Sequence, residues 1–128
     1  MTHNTEIYIC EVCSNAVEIV RGGVGELVCC SKPMKLLKEN TDDTAAKEKH
    51  VPVFEDNKIK VGSVLHPMSE EHHIEFIEAI SYDRKYIIRK FLEHNEEPVM
   101  DVSYNYCKDN FIMREWCNLH GVWSGNKE

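Results

Sequence analysis

From residue 51 onward the apolar positions fall into short runs, rich in β-branched and aromatic residues and divided by turn formers. Six runs are predicted as strands, at 51–54, 58–65, 74–80, 86–92, 99–104 and 111–116. Asp56-Asn57, Ser81-Tyr82-Asp83 and the segment from His94 to Pro98 supply the breaks. Within 71–80, Ile74, Ile77 and Ile80 would also suit a helix face, and the neighbouring strands decide in favour of a strand. Strands of this length and spacing make a sandwich or a barrel. Met68, Met100, Met113, Phe76, Phe91 and Tyr104 are read as packing residues.

The first third of the chain has a different texture. Residues 7–10 form a short strand that enters Cys10-Glu11-Val12-Cys13. Alternation over 16–20 then runs into the glycine-rich Arg21-Gly22-Gly23-Val24-Gly25, and Leu27-Val28-Cys29-Cys30 is expected to return as the second arm of a hairpin. A unit of about 35 residues usually needs a staple such as a metal. Residues 31–49 read as a connector, in which Pro33 to Leu37 closes the small unit. Thr41 could cap one or two helical turns over 41–47.

Length allows one modest domain plus this appendage in 128 residues. Acidic residues exceed basic ones, 22 against 15, for a formal charge of −7. That balance disfavours a nucleic-acid partner, yet leaves room for a small anion drawn in by a local lysine. No apolar run reaches the roughly 18 residues that would span a bilayer. The first residues lack the basic and apolar regions of a signal peptide, so a cytoplasmic location without a membrane partner is expected.

Six cysteines in such a setting favour metal binding over disulfides. Cys10, Cys13, Cys29 and Cys30 supply four thiolates, which suit tetrahedral iron or zinc. Neighbouring side chains of an extended strand point to opposite faces, so Cys29 and Cys30 can share one metal only where the backbone bends sharply. On spacing alone a structural zinc and a redox-active iron stand level.

A second constellation lies in the last third. Cys117-Asn118-Leu119-His120 pairs a thiolate with an imidazole, but two donors cannot fill the coordination sphere of a transition metal. His50 precedes a predicted strand, His66 ends one ahead of Pro67, and His72 stands where the next begins. All five donors fall at strand boundaries, where a rigid scaffold can gather loop-borne ligands at one end. They are read as meeting at a single iron. His73 would point away from His72, His3 and His94 are read as surface residues, and Cys107 as a free thiol.

Four blocks in order carry a resemblance over the whole chain. They are Cys10-x2-Cys13 with Cys29-Cys30; Lys47 to Val53; His66-Pro67-Met68 with His72; and Glu115-Trp116-Cys117-Asn118-Leu119-His120-Gly121. Together they resemble desulfoferrodoxin, the two-iron superoxide reductase of anaerobes. The resemblance implies a mainly β chain, with a small desulforedoxin-like Fe(Cys)4 domain at 1–37 and an immunoglobulin-like β-sandwich at 38–128. Residues 38–50 would serve as connector and active-site loop.

By the same resemblance His50, His66, His72 and His120 are equatorial ligands of the active iron and Cys117 its axial thiolate. The implied reaction is one-electron reduction of superoxide to hydrogen peroxide, with electrons from a rubredoxin-like donor, in a homodimer. Lys49 would attract the anion and Glu48 would approach the oxidised metal. From the residues alone the Lys47-Glu48-Lys49 run reads as a solvated charge run. Ser14 and Ser31 depart from the pattern, which usually has glycine at both positions. The competing reading is a two-iron electron-transfer protein without catalysis of its own.

Overall fold

In the computed structural model the described residues are 1–42, 49–102 and 110–127. The expected helical turns at 41–47, together with Glu48, Tyr104 and Cys107, lie wholly or mostly outside them. The chain divides into two compact units, Met1–Lys38 and Glu39–Glu128. The fold is all β.

In the first unit β1 (Ile7–Ile9) is the middle strand, flanked by β2 (Ala16–Glu18) and β5 (Lys35–Leu36). The other two strands, β3 (Val28–Cys29) and β4 (Lys32–Pro33), form their own antiparallel pair. This corrects the expected hairpin. Residues 16–20 return onto β1 rather than pairing with 27–30, and each pair of cysteines has a hairpin of its own. The β3–β4 pair closes through Cys30 and Ser31 alone, a smaller loop than the glycine-rich segment 21–26 would have closed. Ile7 and Ile19 supply the small apolar centre.

The second unit is a sandwich of two antiparallel sheets. One has the order β10-β7-β6, from Val99–Asp101, Lys58–Val61 and Pro52–Glu55. The other runs β12-β11-β8-β9, from Gly121–Lys127, Phe111–Cys117, Ile74–Ser81 and Ile87–Phe91. Asp56 and Asn57, at φ 54° and 60°, make the two-residue turn between β6 and β7, the conformation that short polar side chains tolerate best. Ile59, Val61, Ile74, Ile77, Met100, Phe111, Met113 and Cys117 form the core between the sheets.

Strand β8 resolves the helix–strand ambiguity. Pairing with β11 and β9 sets Phe76, Glu78 and Ile80 on one face and Ile77 and Ala79 on the other, and all five are buried. A strand covered on both faces carries apolar residues without strict alternation. Phe91 is 70% exposed on the edge strand β9, so it does not pack in the core as expected. Strand β7 ends at Val61 rather than continuing to residue 65, because Gly62 turns the chain with φ +84° and leaves Val64 and Leu65 in solvent.

The registers explain why ligands collect at one end. Pro52 at the start of β6 lies opposite Val61 at the end of β7, and Ile74 at the start of β8 lies opposite Cys117 at the end of β11. His50, His66, His72 and the turn from Cys117 to Gly121 therefore leave each sheet at a shared end.

Candidate metal centres

The first cluster is built by two tight turns. Cys10 and Cys13 occupy the loop that follows Ile9, closed by hydrogen bonds from Ser14 N to Cys10 O (2.9 Å) and from Cys10 N to Asn15 O (2.8 Å). Cys30 and Ser31, at φ 52° and 63°, form the two-residue turn between Cys29 and Lys32. Consecutive left-handed residues supply the sharp bend that two adjacent cysteines need. The sulfur pairs Cys13–Cys29 and Cys29–Cys30 are 3.6 and 4.0 Å apart. Four sulfurs at ~2.3 Å from one tetrahedral metal would lie about 3.8 Å from each other, so the cluster fits such an ion.

Backbone N–H groups of Cys13 and Val12 pull the Cys10 thiol down to about 6. Hydrogen bonding to Cys10 and then Cys13 pushes Cys29 up to about 12, and bonds to Cys13 and Cys10 raise Cys30 as well. Metal uptake has to displace the thiol protons.

The second cluster joins His50, His66, His72, Cys117 and His120, whose ligand atoms all lie within 4.8 Å of one another. Ring contacts run His50–His66, His66–His72, His72–His120 and His120–His50, with centroids 4.8, 4.6, 5.1 and 4.9 Å apart. The chain of contacts closes, so the imidazoles form a square with His50 across from His72 and His66 across from His120. Three of the four contacts are nearly perpendicular, at 83–85°. His50 Nε2 is 3.0 Å from His120 Nδ1, and Cys117 Sγ is 3.5 Å from His66 Nε2 and 3.8 Å from His120 Nδ1. Two nitrogens at ~2.1 Å from one metal and at right angles would be about 3 Å apart, so the donor set fits a single ion.

Local structure aims each donor. The register of β8 against β11 shifts between Trp116 and Cys117, and this bulge re-aims the chain where the thiol enters the fully buried interior. His66 Nδ1 lies 2.7 Å from Pro67 O, a contact that fixes Nδ1 as the protonated nitrogen and presents Nε2 as a donor. Gly121, at φ +87°, turns the chain into β12 just after His120.

Strand β12 was not anticipated, and it brings a residue that the sequence reading passed over. The Trp123 ring stacks on His50 at 4.6 Å and 14°, while its Nε1 donates to His120 O at 3.1 Å. One indole thus braces two neighbouring members of the square. Two glycines let the His50 segment pass close to other backbone. A Cβ on Gly62 would meet Lys49 O at 2.4 Å, and one on Gly125 would meet Pro52 O at 2.9 Å. The available signal was Val122-Trp123 directly after Gly121, an apolar pair positioned to return along β11.

His73 stays outside the square, with Nδ1 3.0 Å from Ser69 O and Nε2 3.3 Å from Glu75. His3 pairs with Glu6 and His94 is exposed. Lys49 is partly exposed beside His50.

Residues 2–37 match the family model described as "Desulfoferrodoxin, N-terminal domain", and residues 42–126 match "Desulfoferrodoxin". The chain belongs to the desulfoferrodoxin family. Its two distinct metal-binding clusters, one of four cysteines and one of four histidines with a cysteine, match the two-iron sites expected of desulfoferrodoxins. A desulfoferrodoxin of Syntrophotalea carbinolica is 49% identical over 128 residues, covering 97% of this chain and 98% of that protein. The desulfoferrodoxin of Desulfarculus baarsii is 47% identical, over 96% of this chain and 97% of that one. Among solved structures, the superoxide reductase from Treponema pallidum superposes with a TM-score of 0.70 at 29% identity, covering 98% of this chain and 99% of that chain.

Proposed function

We propose that this desulfoferrodoxin-family chain is a superoxide reductase, an oxidoreductase that takes one electron and two protons to convert each superoxide to hydrogen peroxide. The observation that carries the reading is the closed square of four imidazoles with a thiolate beside it. His50, His66, His72, His120 and Cys117 would hold the active iron, and Cys10, Cys13, Cys29 and Cys30 the other. When bound, the active iron would supply the single electron that superoxide accepts.

The protein's own residues do the rest. Uncharged imidazoles leave the cation's charge uncompensated except by one thiolate, so the site attracts an anion although the chain carries −7. Lys49, next to His50, adds a positive charge and holds a proton donor or water near the guest. Glu48, the preceding residue in sequence, would interact with the oxidised metal. Burial of four donors, partial only for His72, keeps water from competing along most of the square, while His120 faces the exposed side.

The division of labour is a mini-domain at 1–37 and a reductase domain at 38–128. A rubredoxin-like protein serves as electron donor, and the protein works as a homodimer in the cytoplasm. Among the described residues no helix is long and apolar enough to cross a membrane. The test is iron and zinc content per chain, followed by product stoichiometry. Two irons and one hydrogen peroxide per superoxide, with an external reductant consumed and no oxygen evolved, is the expected result. Oxygen evolution would make it a dismutase. Iron reduction and oxidation without superoxide consumption would leave an electron carrier.

A further inference from the structure

Three hydrogen bonds run from Asn118 to the loop that carries His72. Its backbone N–H donates to His73 O at 3.1 Å, its Oδ1 accepts from His73 N at 2.9 Å, and its Nδ2 donates to Glu71 O at 3.0 Å. One residue therefore grips both chain neighbours of His72, and it is itself the neighbour of Cys117. The loop it grips is already closed on itself. Ser69 N donates to His72 O at 2.9 Å, and His72 N donates to Ser69 Oγ at 3.1 Å. The backbone groups of His72 are thus engaged within the loop, and the loop is fastened to the end of β11 as a preformed piece.

The position of this fastening matters. The ladder between β8 and β11 becomes irregular between Trp116 and Cys117, so regular sheet pairing does not carry the register past the thiol. The Asn118–His73 bonds resume it one step further on. Asparagine suits the task because its amide offers a donor and an acceptor at once; aspartate lacks the donor, leucine has neither, and serine is too short to reach both partners.

We propose that Asn118 is the positioning residue that fixes the Cys117 thiolate and the His72 imidazole relative to each other, so that the five-donor cluster exists before the metal arrives. The proposal rests on the reading that this cluster holds a metal. Loss of groups that orient ligands typically weakens metal binding by about 10–100-fold. The four-cysteine cluster has no part in the staple and serves as an internal reference.

The experiment is an anaerobic titration of the metal-free full chain with cobaltous ion against a chelator, following thiolate-to-cobalt and ligand-field absorption. The parent is expected to take up two cobalt ions. Asn118→Ala should keep the four-thiolate spectrum, bind the second ion roughly 10–100-fold more weakly and shift the charge-transfer band of that site. Asn118→Asp preserves size and the acceptor toward His73 N, and should weaken the second site in the same direction; it carries the test if the alanine variant fails to fold. Parental affinity and an unshifted band in a folded variant, even with a lowered melting temperature, would overturn the staple alone. A parent that takes up only one ion would overturn the staple together with the metal-site reading beneath it.

Discussion

Serine at positions 14 and 31 has a definite cost. Both residues sit in the left-handed region, at φ 67° and 63°, where a Cβ is unfavourable by ~1–2 kcal/mol. The turns around the first cluster are thus the same turns that glycine would make, and the departure from the family pattern changes strain rather than course. Ser14→Gly is expected to raise the stability of the first unit by about 1 kcal/mol. Slower loss of metal to a chelator and a higher denaturant midpoint would show it. Lys49 is a residue of the opposite kind, for which the proposed role is electrostatic. Lys49→Ala should lower the rate of reaction with superoxide by roughly tenfold or more and flatten its ionic-strength dependence. Stopped-flow rates at several salt concentrations, with metal content held at the parental level, measure both.

At the scale of elements, close approach of backbones decides how the His50 segment is held. Gly62 ends β7 with φ +84° and lies under the Lys49 carbonyl, so any side chain there must displace the segment that leads into His50. Gly62→Ala is expected to destabilise the sandwich by about 1–3 kcal/mol and to lower metal occupancy of the five-donor site. Equilibrium denaturation and metal analysis of the second site test the two effects separately. Strand β12 makes the same point from the other side. Its residues alternate poorly and include Gly121 and Gly125, so local propensity hides it, yet it pairs with β11 over seven residues and delivers Trp123 to His50 and His120. An edge strand of this kind is stabilised by its partner more than by its own composition. Asn40 covers part of its open edge, through bonds from Asn40 N to Val122 O and from Ser124 N to Asn40 O, each 2.9 Å long.

On the scale of the whole molecule, each unit contains a complete donor set of its own. The four cysteines fall within Met1–Lys38, and the four histidines with Cys117 fall within Glu39–Glu128. Cys13→Ser should therefore abolish tetrathiolate absorption, reduce bound metal from two equivalents to one and leave the spectrum of the second centre unchanged. A change in that second spectrum would show that the two centres depend on one another. The acidic chain as a whole repels an anion at long range, so the attraction that matters is local and short, within about a Debye length of the cluster.

Much of this was legible in the sequence for a physical reason. Metal ligation demands particular atoms, so Cys10, Cys13, Cys29, Cys30, His50, His66, His72, Cys117 and His120 announce themselves by residue type and by their place at strand ends. Period-two patterning likewise marks β7, where Ile59 and Val61 are buried and Lys58 is exposed. What the sequence could not decide is which hairpins form, because pairing 16–20 with β1 or with 27–30 is a choice between loop closures rather than between patterns. It was equally silent on the square of imidazoles, on the stacking of Trp123 and on the grip of Asn118. These depend on strand register and on backbone approaching backbone, quantities that exist only once distant parts of the chain have packed together.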